Sequence, residues 1–304
     1  MTTKPHCLII GGGPAGVTAA IYLARFHLDV TVIDDGNSRM HWIARTHNHA
    51  GFPGGVKGTA LLARMVEQAE QYCAKFIEAR VTALDCDGPN IYADWGDGRR
   101  PFAAVLLATG VENRRPDISD VMHEIALERT LLRYCPVCDG FEITDKRIAV
   151  IGTATRGVDE ACFLRSFTGD ITLISPGPRH DMSPDDLQRC RQFGIQICDG
   201  PAIIQRLETN EIIISTSRGP HTFFSAYPAL GSISNSDLAR RLGAKLGDAG
   251  CIETDSHQQT SIPGIYAAGD VVLGLDQISH AMGEGAVAAT TMRNIIAKDQ
   301  PLMR

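Results

Sequence analysis

The chain has 304 residues, 44% hydrophobic and 21% charged, with 29 Lys and Arg against 35 Asp and Glu for a net charge of −6. That is enough chain for two modest domains, each with its own core. The acidic balance, with both signs interspersed, speaks against nucleic acid or an anionic membrane surface as partner. No run approaches the roughly 18 apolar residues of a membrane span. The amino terminus, Met1 to His6, leads straight into a strand with neither an apolar h-region nor a cleavage site, so no secretory signal is expected. The nine cysteines are odd in number and scattered, unlike a secreted disulfide framework. They point to a reducing cytoplasmic home, where a close cysteine pair calls for a chemical explanation.

In chain order, Leu8-Ile9-Ile10 reads as a strand, followed by Gly11-Gly12-Gly13-Pro14-Ala15-Gly16. Gly11, Gly13 and Gly16 form Gly-x-Gly-x-x-Gly: a tight turn, a close approach of backbone to a pyrophosphate, and a close helix–strand contact. The helix amino end then faces the phosphates. A second strand, Val30 to Ile33, ends at Asp34, where a carboxylate can bond ribose hydroxyls. The complete unit predicts dinucleotide binding. Further on, Val105 to Gly110 reads as a buried strand closing in a tight turn, and a polar stretch with Pro116 reads as a linker.

Tyr134-Cys135-Pro136-Val137-Cys138-Asp139-Gly140 places two thiols at i and i+3. The spacing allows a small disulfide ring, and a helical turn starting there would favour a thiolate. Asp139 adjoins the second cysteine, where a carboxyl can deliver or accept the proton of thiolate formation. Cys-x-x-Cys is also half a zinc site, but no second such pair exists. An inert pair of small buried side chains is the third alternative. His41, His47 and His49 form a loop cluster that no nearby carboxylate or cysteine joins, so no metal site is expected.

Residues 147–175 repeat the strand, glycine turn, helix, strand order of residues 7–34, with a helix expected from after Gly152 to about Phe167. Two such units predict an α/β fold with two Rossmann-like domains. A second linker fits Gly243 to Gly250. Gly264 to Asp270 reads as a strand ending at Gly269-Asp270, and an amphipathic helix from about Gln277 to Ala297 closes the chain. The expected organisation is a discontinuous domain, residues 1–115 plus 245–304, with residues 116–244 inserted into it.

Together these motifs, with Ala108-Thr109-Gly110 and Thr260 to Asp270, resemble the low-molecular-weight thioredoxin reductase family over nearly the whole chain. The resemblance implies FAD in the discontinuous domain and a homodimer. It implies cofactor contacts from Gly11, Gly13, Pro14, Ala15, Gly16, Asp34, Ala108, Thr109, Gly110, Gly269 and Asp270. Gln277 and Ile278 would lie at the isoalloxazine. Cys138 would face the flavin, Cys135 would attack the partner disulfide, and Asp139 would donate the proton. The partner would be a thioredoxin-like protein or a small dithiol or disulfide.

The sequence departs from that family at its second glycine loop. Gly152-Thr153-Ala154-Thr155-Arg156-Gly157 has Ala154 at the middle glycine. The family's basic cluster after the next strand is matched by Ser175-Pro176-Gly177-Pro178-Arg179-His180-Asp181, which offers a single guanidinium. NADPH and NADH are therefore expected to be poor reductants. The family's Gly-Gly-Gln-Leu stretch is matched by Met40-His41-Trp42-Ile43, and its arginine before Gln277 by Asp276. Trp42 would stack on the flavin or a donor, or else is ordinary packing. His280 is a proton relay or a satisfied structural histidine. Three functional expectations follow: a reductase fed by ferredoxin or another one-electron donor, a dithiol oxidase passing electrons to oxygen, or a flavin-bound redox sensor without turnover.

Overall fold

The computed structural model describes residues 4–88, 90–299 and Leu302. Met1 to Thr3, and the last residues of the expected first domain at 300, 301, 303 and 304, lie outside them. By its contacts the chain divides into two units. The first comprises residues 1–41, 58–112 and 233–304; the second comprises 42–57 and 113–232. The sequence predicts boundaries at 115/116 and 244/245 with residues 42–57 in the first domain, whereas the contacts group 42–57 and 113–115 with the second unit and 233–244 with the first. Residues 237–244 belong to the first unit because Ala239 and Ala244 are buried in its core with Ile252, Val271 and Val272.

The first unit is built on a five-stranded sheet in the order Ile265–Ala267, Ala104–Leu107, His6–Ile10, Asp29–Asp34, Lys75–Glu78. Every pairing in it is parallel. Strands buried on both faces read as continuous apolar runs, and Ala104-Val105-Leu106-Leu107 is buried throughout. The helix Pro14–Arg25 makes the first crossover, with proline inside its first turn where a missing N–H costs nothing. The closing helix runs Ile278–Asp299, one residue later at its start than expected. A three-stranded antiparallel sheet, Ala83–Asp87, Asn90–Asp94 and Arg100–Phe102, is inserted before Ala104.

The second unit repeats the plan with a four-stranded parallel sheet: Gln196–Cys198, Ile171–Ile174, Ile148–Ile151, Ser225–Pro228. Its crossover helix, Ala154–Leu164, stops short of the Phe167 expected from the sequence. Ile203–Leu207, Ile212–Thr216 and Gly219–Phe223 form an antiparallel sheet beside it. No helix among the described residues is long and apolar enough to cross a membrane.

Candidate active site

In the first unit, the carboxyl ends of three adjacent strands bring the expected cofactor residues to one edge, where ligands of doubly wound sheets bind. Gly11 donates its N–H to Ile33 O at 2.8 Å, Ala108 to Ile10 O at 2.8 Å and Ala268 to Leu107 O at 3.0 Å. Gly11 has φ of +107°, and a Cβ there would lie 2.2 Å from Ala108 O. A Cβ on Gly16 would lie 2.0 Å from Gly11 O. At Gly13 the nearest atom to a Cβ is Ser38 Oγ at 3.6 Å, and no side chain caps the helix that follows. The helix amino end therefore keeps N–H donors facing open space, the cradle a pyrophosphate needs.

Asp34 binds the glycine loop itself: Oδ1 accepts from Gly12 N at 2.8 Å and Oδ2 from Gly36 N at 3.3 Å. Thr109 Oγ1 donates to Asn235 O at 2.7 Å and Asn235 Nδ2 returns a bond to Thr109 O at 3.0 Å, fixing the Ala108–Gly110 turn. Gln277 accepts from Ala281 N at 2.9 Å, opening the last helix at Ile278.

Arg39 Nη1 lies 2.9 Å from Asp270 and 3.2 Å from Asp276. Burial pushes the Asp270 carboxyl up to about 6, opposed by Arg39 and assisted by the nearby Asp276 and Glu284 charges. His280 Nε2 lies 3.1 Å from Glu284 Oε1, while Glu284 Oε2 accepts from Gly269 N at 2.7 Å. Sequence reasoning missed Arg39 and Glu284. The unmatched acid at Asp276 was the one signal that a cation had to come from elsewhere.

In the second unit, Cys135 and Cys138 are joined by a disulfide across the single turn Pro136–Asp139. Cys138 N–H donates to Cys135 Sγ at 3.1 Å. Asp139 is held from two sides: Arg133 Nη1 donates to Oδ2 at 2.9 Å and the Tyr227 hydroxyl to Oδ1 at 2.8 Å. Both partners arrive through backbone pairing, since Leu132 bridges to Ala226 and Arg133 N–H donates to Ala226 O at 2.9 Å. Burial pushes the Asp139 carboxyl up, the Arg133 charge and the Tyr227 hydrogen bond pull it down, and the Glu142 charge pushes it up again.

Trp42 belongs to this second unit. Its ring lies 5.1 Å from His123 and 5.3 Å from Tyr134, with the Arg115 guanidinium 4.8 Å over it. His123 Nε2 bonds the Tyr134 hydroxyl at 2.9 Å. Burial, with Arg115 second, pushes the His123 pKa down to about 4. These contacts are those of a packed aromatic cluster beside Cys135. His47 lies 4.0 Å from Glu142 and His49 stacks on Phe52.

The profile of the pyridine nucleotide-disulphide oxidoreductases matches residues 5–285. The chain belongs to that family. A thioredoxin reductase of Peptoclostridium acidaminophilum is 29% identical over 303 residues, covering 93% of this chain and 94% of its own. The structure of thioredoxin reductase from Streptococcus pyogenes superposes with a TM-score of 0.87 at 27% identity, covering 97% of this chain and all of that one. The atypical thioredoxin reductase TRi of Desulfovibrio vulgaris is 30% identical, covering 98% of this chain and all of that one, with a TM-score of 0.55.

This oxidoreductase is therefore an FAD-dependent flavoprotein. The open space at Gly13 and the uncapped helix fit the pyrophosphate of that cofactor. The corresponding loop of the second unit is different. Ala154 sits at φ of +51°, a conformation that costs a non-glycine residue about 1–2 kcal/mol. Thr153 Oγ1, at the amino end of the helix, accepts from Asp181 N at 2.8 Å, and Thr155 Oγ1 reaches Asp186 at 3.3 Å. Ser175 Oγ donates to Arg179 O at 2.8 Å and accepts from Gly177 N at 3.2 Å. The chain's own loop is thus tied to the Thr153 side chain at the start of this helix, whose N–H groups no side chain caps.

Proposed function

We propose that this oxidoreductase passes two electrons between FAD and the Cys135–Cys138 disulfide, and onward by thiol–disulfide exchange, without NADPH or NADH as its working reductant. The observation that supports the second half is Ala154 at φ of +51° in place of the middle glycine, beside a loop tied to Thr153 Oγ1 through Asp181 N. FAD supplies the two-electron chemistry, held by Gly11, Gly13, Pro14, Ala15, Gly16, Asp34, the Ala108–Gly110 turn, Gly269, Asp270, Gln277 and Ile278.

In the reductase direction the Cys135 thiolate attacks a partner disulfide, and one partner thiolate leaves. Cys138 then attacks Cys135, releasing the second partner thiolate and reforming the Cys135–Cys138 bond. The partner is a thioredoxin-like protein, as the names of the relatives suggest. Val137 and Phe141, 49% and 79% exposed beside the disulfide, offer it apolar contact. The electron donor is ferredoxin or another one-electron carrier, and the enzyme works as a homodimer in the cytoplasm. Anaerobic mixing with reduced ferredoxin, a dithiol, NADPH or NADH, following flavin absorbance, tests this. Ready bleaching by either nicotinamide would overturn the donor assignment.

A second reading, oxidation of a small dithiol with electrons passing to oxygen, draws support from the charge-assisted bond between Arg133 and Asp139. That bond favours the ionised carboxylate, the form in which Asp139 can accept a thiol proton.

A further inference from the structure

We propose that Arg39 supplies the positive charge of the flavin site. Its guanidinium clasps Asp270 and serves the negative pyrophosphate of FAD, while Asp276 is a competing counter-ion that weakens retention of the cofactor. This rests on FAD as the cofactor and on the glycine-loop cradle described above.

Arg39 stands between the two sides of that cradle. It follows Ser38, whose Oγ is the nearest atom to a Cβ built on Gly13, at 3.6 Å. Ser38 also fixes the turn that begins at Arg39: its Oγ accepts from Met40 N at 3.3 Å and its carbonyl from His41 N at 3.0 Å. The buried Met40 side chain anchors the same turn. From there Arg39 reaches a residue 231 positions away, Asp270, just beyond the strand Ile265–Ala267.

A guanidinium carries five N–H donors and never loses its charge. Both protein bonds leave from Nη1, at 2.9 Å to Asp270 and 3.2 Å to Asp276. Nε and Nη2 have no hydrogen-bond partner among the described residues, which leaves three donors for an anion.

The balance of charge points the same way. The helix Pro14–Arg25 brings backbone N–H groups to the cradle but no basic side chain before Arg25, at its far end. Burial raises the Asp270 carboxyl to about 6, Arg39 lowers it, and the Asp276 and Glu284 charges raise it again. His280 is bonded to Glu284 at 3.1 Å. A pyrophosphate dianion adds to this negative charge, and like charges in one site are costly unless a cation offsets them. Arg39 is the cation bonded there. The Asp276 side chain is 40% exposed against 21% for Asp270, so Asp276 is the solvated partner of the two and draws part of the Arg39 charge away from the cofactor.

The test is release of FAD from the full-length holoenzyme on dilution, read as recovery of free-flavin fluorescence. It is run at about 0.1 M and about 1 M salt, between which the screening length falls from about 10 Å to about 3 Å. Arg39→Met should release FAD about 10–100-fold faster, the worth of one charge-assisted bond, with less dependence on salt than the parent. Arg39→Lys should recover much of the difference. Asp276→Asn should release FAD about two- to five-fold more slowly than the parent, because it removes the competing charge. The opposite signs at the two ends of one ion pair separate this role from a structural one: if Arg39 merely tied down residues 270–276, either change would loosen the site. Asp276→Asn remains informative if Arg39→Met does not fold. Release that is unchanged in Arg39→Met, or unchanged or faster in Asp276→Asn, overturns the proposal. A purified protein that contains no FAD overturns the cofactor assignment and this proposal with it.

Discussion

Asp181 donates its backbone N–H to Thr153 Oγ1 at 2.8 Å, at the terminus of the helix Ala154–Leu164. A nicotinamide nucleotide approaching this helix start would meet the Ala154 methyl and a loop already tied to Thr153. NADPH at about 0.1 mM, within the usual range of substrate constants, is expected to bleach the flavin slowly or not at all in stopped-flow mixing. Ala154→Gly relieves a φ of +51° and should stabilise the protein by about 1 kcal/mol, seen as a higher denaturation midpoint. It should not restore rapid reduction, because the Thr153–Asp181 bond remains. Bleaching by NADPH within milliseconds in the variant would show that alanine alone had blocked the nucleotide.

The flavin cradle gives a second expectation. The protein should purify yellow with about one FAD per chain. A Cβ on Gly12 would lie 2.9 Å from Asp34 Cγ, and it would push apart the loop and the carboxylate that accepts from Gly12 N. Gly12→Ala should therefore lose most of its flavin, measured as the flavin-to-protein absorbance ratio after desalting. Full retention would mean the loop is not held by Asp34.

The two cysteines should behave unequally. Cys138→Ser should abolish electron transfer between flavin and the pair. Cys135→Ser should leave a thiolate beside the flavin and show a long-wavelength absorbance band that Cys138→Ser lacks. Asp139→Asn, which can neither deliver nor accept the proton, should slow thiol exchange by about 10²–10⁴-fold. The band appearing in the opposite variant would reverse the roles of Cys135 and Cys138.

Glu160 supplies a pH dependence of stability. Burial raises its folded-state pKa to about 7, with Arg156 opposing and Asp139 adding to the rise. The folded state therefore binds the proton more tightly than the unfolded chain. The associated stability is fully present below about pH 4.5 and is lost as pH rises through about 7. Glu160→Gln should be more stable than the parent at alkaline pH, by up to about 3 kcal/mol, and the two should converge in acid. Parallel curves from about pH 4 to about pH 9, a range that spans the unfolded and folded titrations, would contradict this.

What the sequence revealed was local in the chain. Gly11 to Gly16 and the strand ending at Asp34 span one βαβ unit, so spacing alone specified the turn, the helix start and the acid. The Cys135–Cys138 pair was equally legible because a disulfide ring needs only the i, i+3 spacing. The rest depends on contacts distant in sequence. Arg39 meets Asp270 across 231 residues, and no periodicity announces that. Tyr227 sits in the buried run Ser225–Pro228 and looks like core until its hydroxyl is seen at Asp139. Arg133 left a trace, a lone cation after Leu131-Leu132, which in a buried run demands a partner. The unit boundary at 232/233 leaves no local signal for the same reason: Ala239 and Ala244 join the first core only in three dimensions.

The placement of the other cysteines makes the oxidation state of this enzyme countable inside a cell. Cys7, Cys190 and Cys198 are buried, Cys162 and Cys251 partly covered, and Cys73 and Cys86 exposed. Burial raises the thiol pKa of Cys86, Cys162 and Cys190, and carries Cys7 to about 12. A brief pulse of a thiol-selective alkylator should therefore leave a small, constant background, with Cys73 as its accessible baseline. Two further adducts per chain would appear only when Cys135 and Cys138 are open, so the mass spectrum of the intact chain becomes a readout of which redox form the living cell maintains.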